Sequence, residues 1–159
     1  MGRFYEGDQL AIDMVSSIIY DDNRFPNLKG AVIKVVMDNK PKIDKFSGIL
    51  TFAYIKTSNE VERFLTRDGH NLAGVDYILF INDLVWEMAS PEDKKRIISH
   101  ELRHTFLDDK GNFKLIRHDI EDFYSEIKLN EDDPMWGQSL STIVVAKVEQ
   151  DKAEAKANR

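Results

Sequence analysis

The chain has 159 residues, 42% of them hydrophobic and 31% charged, which fits a single globular domain and excludes the apolar-poor composition of a disordered segment. A net charge of -6 supplies no global basic field for nucleic acid, and with no cysteine there is neither a disulfide nor a thiolate site, so any metal must be held by His, Asp or Glu. No basic and apolar leader opens the chain and no apolar run reaches membrane-spanning length, so the expected location is the cytoplasm.

In chain order, Leu10, Ala11, Met14, Val15, Ile18 and Ile19 recur at three- and four-residue steps and predict an amphipathic helix from Asp8 to Tyr20. Asn23 to Gly30, with Pro26, reads as a loop. AVIKVVMD (31–38) and SGILTFAYIK (47–56) are rich in β-branched and aromatic residues and are separated by the turn-prone NKPKIDK. They predict two adjacent strands, paired antiparallel. Thr57 precedes Glu60 at capping-box spacing, and Val61, Phe64 and Leu65 share one face, so a short helix is expected there. VDYILFIN (75–82) is a third main strand and DLVWEMA (83–89) a short helix.

Ser90-Pro91-Glu92-Asp93 is a strong helix start: Ser caps, Pro suits the first helical position, and two acids face the positive end of the dipole. The helix is placed from about Pro91 to Phe106, followed by the turn DDKGN (108–112) and a short strand or extended arm FKLIR (113–117). Asp119, with Asp122 three residues on, caps a further helix to about Leu129, which NEDDPMWGQ breaks. SLSTIVVAKV (139–148) satisfies both helical and strand patterns, and EQDKAEAKANR reads as a frayed tail. The expected architecture is α+β, a small mainly antiparallel sheet packed with helices, over residues 1–130. Residues 131–159 form a C-terminal extension that is in part flexible.

Three of the four histidines fall between residues 100 and 118. His100-Glu101-Leu102-Arg103-His104 is an H-E-x-x-H pattern, and on a helix residues four apart stand one above the other, so both imidazoles can meet one ion. Glu101 lies one residue round from His100, beside the ion rather than in its coordination shell, where it can take a proton from an activated water. Ile98, Leu102 and Phe106 form an apolar row that packs the same helix on the sheet. The competing reading is a pair of surface histidines among neighbouring charges.

Catalytic zinc normally takes three protein ligands and keeps one open position. His118 is the leading third ligand, because DDKGN can reverse the chain along the motif helix. Glu121 and Asp122 are the carboxylate alternatives. His70 is read as an ordinary loop residue. Arg103, Arg117, Tyr54 and Tyr77 are candidates to steady an oxyanion or steer a substrate carboxylate, the ordinary alternative for either arginine being ion pairs with Asp108, Asp109 or Glu121.

The stretch LVWEMASPEDKKRIISHELRHTFLDDKGNFKLIRHDIEDF resembles the putative phage metallopeptidase family in the Trp86 helix before the motif, the H-E-x-x-H itself, the turn after it and the closing HDIEDF. The likeness runs more weakly over roughly residues 8 to 129, a span of single-domain size. The closing motif is also similar to the H-G-x-x-F signature of SprT-like metalloproteases, whose first histidine is the third zinc ligand. That similarity implies a ligand at His118, with Asp119 standing where that group has glycine. The resemblance implies a zincin-like, minimal gluzincin or SprT-like fold, one Zn2+ held by His100, His104 and His118, Glu101 as the catalytic base, and a peptide or protein substrate. The cysteine-based zinc ribbon and basic C-terminal region that serve DNA-targeted proteolysis have no counterpart here.

Two other function classes compete with the peptidase. A non-catalytic, zinc-stabilised protein-binding module of phage origin would unfold on chelation and would not need Glu101. Metal-assisted phosphodiester hydrolysis fits poorly with the acidic charge and the lack of clustered carboxylates for two metals. Neither the oligomeric state nor the substrate sequence is written in the chain.

Overall fold

A computed structural model describes residues 2–118 and 124–158. The fold is α+β. Four strands, β1 (Phe4–Glu6), β2 (Ile33–Asp38), β5 (Ala53–Thr57) and β6 (Tyr77–Asn82), form one sheet in the order β1-β2-β6-β5. Two small hairpins stand apart from it: β3 (Lys42–Ile43) with β4 (Leu50–Thr51), and β7 (Thr105–Leu107) with β8 (Phe113–Leu115). The helices are α1 (Gln9–Tyr20), α2 (Glu60–Leu65), α3 (Asp83–Met88), α4 (Pro91–Arg103), α5 (Tyr124–Leu129) and α6 (Trp136–Ala157). None of the described helices is long and apolar enough to cross a membrane.

The sheet is mixed. β1 with β2 and β5 with β6 are antiparallel, whereas β2 with β6 is parallel, in the register Ile33↔Tyr77 to Asp38↔Asn82. The expected direct pairing of the strands predicted at 31–38 and 47–56 is therefore corrected: β6 lies between them. The physical reason is in their composition. YILFIN is almost continuously apolar and buried along its length, which suits a central strand, whereas AYIKT alternates and carries Lys56, which suits an edge. The interrupted SGILTFAYIK segment supplies both β4 and β5, with Phe52 between them.

One face of the sheet, through Val35, Met37, Ile55, Tyr77, Leu79 and Ile81, holds the core. It is covered by Ala11, Val15, Ile18 and Ile19 of α1, by Ile97, Ile98 and Leu102 of α4, and by Val85 and Trp86 of α3. Trp86 Nε1 donates to Asp8, the residue whose carboxylate also caps α1, so α3 and the start of α1 are tied together. The segment that satisfied both patterns at 139–148 is helical, and Leu140, Val144 and Val148 of α6 enter the same core at helical spacing.

One helix start and one helix end differ from the sequence reading. α2 is capped by Asn59, whose side chain accepts from Glu62 N–H while the Glu62 carboxylate accepts from Asn59 N–H. The box is thus Asn59/Glu62 rather than Thr57/Glu60, because Thr57 belongs to β5. Val61, Phe64 and Leu65 are exposed rather than packed. The helix attributed to an Asp119 cap is described from Tyr124, and Asp119 and Asp122 lie outside the described residues. α4 ends at Arg103, three residues before the predicted Phe106, because Thr105, Phe106 and Leu107 pair with Leu115, Lys114 and Phe113. Phe106 therefore leaves the apolar row, while Ile98 and Leu102 are fully buried as that row requires.

Candidate metal centre

The Ser90 side chain accepts from Asp93 N–H, so the start of α4 is set as its sequence reads, and the helix carries Ile97, Ile98, Glu101 and Leu102 inward. His100 sits on the last turn and His104 is the C-cap. Beyond it, the β7–β8 hairpin reverses the chain. Asp108 accepts from the backbone N–H groups of Lys110 and Asn112, and Gly111 takes a left-handed φ of 79° that other side chains rarely adopt.

The return strand is clamped to the helix end at one residue. Ile116 N–H donates to the His104 carbonyl at 2.7 Å, and His104 Nδ1 donates to the Ile116 carbonyl at 2.8 Å. Because a carbonyl only accepts, this contact places the proton on Nδ1 and the lone pair on Nε2, the arrangement that orients a metal-binding histidine. Two residues further on, His118 reaches His100, Nε2 to Nε2 at 2.9 Å. The three ring centroids are 4.5 to 5.4 Å apart, and one nitrogen from each histidine lies within 4.8 Å of the other two.

These residues fit a metal. Zinc–imidazole bonds of about 2.0–2.1 Å in a tetrahedral shell separate the nitrogens by about 3.3 Å, so the His100–His118 contact needs only a few tenths of an ångström of opening. The donor set is all imidazole, which suits zinc and its borderline neighbours rather than magnesium or calcium. Glu101 is 9% exposed and stands beside the triad without joining it. Burial pushes its carboxyl up to about 8, against a smaller opposing pull from the Ile55 backbone N–H.

Of the other candidates, Arg117 borders the site, lining a cleft of about 590 Å³ with Glu101, His104, Ile116 and His118. Tyr54 is part of the same lining, but its ring stacks on Phe80 at 4.7 Å on the far face of the sheet. Tyr77 is fully buried and its hydroxyl donates to the Lys114 and Phe106 carbonyls, so it supports the hairpin and cannot reach a substrate. Arg103 turns away from the triad. Its Nε and Nη2 donate to Glu126 and its guanidinium lies 4.6 Å from the Phe25 ring centroid. Among the described residues its ion-pair partner is the buried Glu126 rather than Asp108 or Asp109. His70 lies in the turn after α2, its backbone N–H donating to Asp68. Glu121 and Asp122 lie outside the described residues.

Sequence reasoning missed two parts of the site. One is the Ile116 carbonyl, which no side-chain pattern announces. The other is an apolar extension of the cleft, about 450 Å³, in which Leu50, Phe52, Ile97 and Trp136 adjoin His100, Glu101, His104 and His118. Trp136 and the Gly137 after it were the available signal, a tryptophan in an otherwise polar break between helices.

A family model described as putative phage metallopeptidase matches residues 4–149 of the 159, and the chain belongs to that family. The α+β fold with its small mixed sheet is consistent with a small zincin-like metallopeptidase. No curated protein and no solved structure matches the chain significantly.

Proposed function

We propose that this member of the phage metallopeptidase family is a zinc-dependent peptidase in which His100, His104 and His118 hold one Zn2+ and Glu101 is the general base. The observation that carries the reading is a buried carboxyl beside a histidine triad, opening on a cleft of several hundred cubic ångströms. The chemistry zinc supplies when bound is Lewis acidity, which polarises a peptide carbonyl and makes a water acidic enough to attack it.

The chain's own residues do the rest. Glu101 accepts the proton that the attacking water loses and passes it to the departing amine nitrogen, so that water adds across the C–N bond and the carboxylate is regenerated. In the metal-free chain its burial raises its proton affinity above that of an ordinary carboxylate. His104 is held in one tautomer by the Ile116 carbonyl. A purely structural site would have no use for a carboxyl kept at this burial cost outside the donor set.

The test is Glu101→Gln, which keeps the shape and removes the base. Zinc content should stay near that of the parent chain, while hydrolysis of a denatured protein substrate should fall by at least two to four orders of magnitude, the usual worth of a positioned general base. Full retained hydrolysis would sink the assignment.

A further inference from the structure

The histidine triad divides the cleft into two unlike halves. Toward β8 the walls include Arg117, Leu115 and Ile116. Toward α6 they are Leu50, Phe52, Ile97 and Trp136. Leu50 and Ile97 are buried and form the floor, whereas Phe52 and Trp136 are half-buried, with ring centroids 6.1 Å apart, and leave edges facing the cleft. The half-cleft falls in the range of roughly 300–1,000 Å³ typical of small-ligand sites and is continuous with Glu101 and all three histidines.

Two features show that this half is built to stay open. Arg96 anchors the start of α6. It pairs with Asp93 on its own helix and with Asp132 in the preceding turn, and its guanidinium lies 6.0 Å from the Trp136 ring centroid. Trp136 is thus held by a network outside the triad. Gly137 follows it in the first turn of a 22-residue helix, where glycine costs about 1 kcal/mol against alanine. Its backbone is not in the left-handed region, so conformation does not demand glycine. A Cβ placed there would meet only Phe52, at 4.0 Å, so a longer side chain would grow toward the Phe52 ring and occupy the half-cleft.

We infer that this half-cleft is a specificity pocket that takes one large hydrophobic side chain, of leucine or phenylalanine size, from a residue beside the bond to be cut. The inference rests on the peptidase reading and adds its substrate class. Among the described residues the pocket presents rings and aliphatic walls and no charged side chain apart from Glu101, so a charged side chain would lose its hydration without gaining a partner there. A small one would leave the pocket partly empty. Discrimination per missing methylene in such pockets is about 10- to 200-fold, so leucine over alanine should differ by more than tenfold in kcat/KM.

The test uses the zinc-loaded full chain on a peptide library, with cut sites read by mass spectrometry, comparing the parent with Trp136→Ala and Gly137→Leu. The parent should show large hydrophobic residues at one fixed position next to the cut. Gly137→Leu, which fills the pocket, should lose that preference and favour alanine or glycine there while melting as the parent does. A second arm titrates two peptides differing only by leucine or alanine at that position into Glu101→Gln, following tryptophan fluorescence against Glu101→Gln/Trp136→Phe. Only the leucine peptide should give a Trp136-dependent change. A flat profile in the parent, or an unchanged profile in Gly137→Leu, overturns the pocket. If the parent cuts no peptide, the peptidase reading fails. The fluorescence arm, run across peptides with leucine or alanine at each position, then decides the pocket: a leucine-selective change sustains it, and no change overturns it.

Discussion

Glu126 is the buried charge on which the outer side of the metal helix depends, and its removal gives a prediction with a definite size. The residue is 1% exposed. Its Oε1 accepts from Ser99 Oγ at 2.9 Å and from Arg103 Nε at 3.1 Å, with Arg103 Nη2 also at 3.1 Å, and Arg24 donates to the same Ser99 hydroxyl. Glu126→Ala leaves Arg103 as an uncompensated cation beneath Phe25, a change that costs about 3–5 kcal/mol where a buried pair loses one partner. That is a third or more of the total stability of a typical domain. The pair itself is worth much less than its breaking, so Arg103→Met/Glu126→Leu should recover most of the loss. Urea unfolding of the metal-free parent, both single variants and the double variant at pH 7 gives the coupling energy directly. A loss below 1 kcal/mol for Glu126→Ala, or a double variant no better than that single, would refute the argument. Zinc affinity should fall in Glu126→Ala as well, because α5 follows His118 closely in the chain and is tied to α4 through this carboxylate.

Three further outcomes follow from the site. In the metal-free chain the Glu101 carboxyl is raised from 4.5 to about 8, so folding takes up a proton between those values. The contribution of this group to stability should be full below pH 4.5 and be lost toward pH 8, by at most about 1.4 kcal/mol per unit. Glu101→Gln should lack that share of the slope in chelator-treated unfolding curves, and an identical slope in both would count against it. His118→Ala should bind well under one zinc per chain in metal analysis of the dialysed protein, with His70→Ala as the control that keeps it. Ile116→Pro removes the N–H that meets the His104 carbonyl. It should loosen the clamp that holds the Ile116 carbonyl on His104 Nδ1 and weaken zinc 10- to 100-fold in a competition titration while the far-ultraviolet spectrum stays unchanged.

The parts of this site that were legible in the sequence are those that depend on spacing within one element. His100, Glu101 and His104 were readable because a helix repeats every 3.6 residues, and Ser90-Pro91 announced where that helix begins. The reversal at 108–112 was readable from its Asp, Gly and Asn, and with it the return of His118. What was not legible came from pairings distant in the chain. The place of β6 between β2 and β5 depends on which strand is most apolar relative to the others. The specificity pocket is assembled from residues 50–52, 97 and 136, which share no local pattern.

The end of α4 shows how a failure of local reasoning can mark function. Periodicity carries the helix to Phe106, which would hold residues 104–106 in helical backbone and keep them from pairing with the return strand. In the structure Asp108 N–H donates to Asn112, and the His104 carbonyl accepts from Ile116. The helix therefore stops one residue short of the second histidine of the motif and surrenders that carbonyl to the return strand. The same register brings the Ile116 carbonyl to His104 Nδ1 and carries His118 to within 2.9 Å of His100. Had the helix run on for three more residues, it would have advanced about 4.5 Å along its axis and taken Thr105 and Phe106 out of their pairing with Leu115 and Lys114. The third histidine would then have had no fixed approach to the first two. The early stop is the feature that turns a two-histidine helix into a three-nitrogen site.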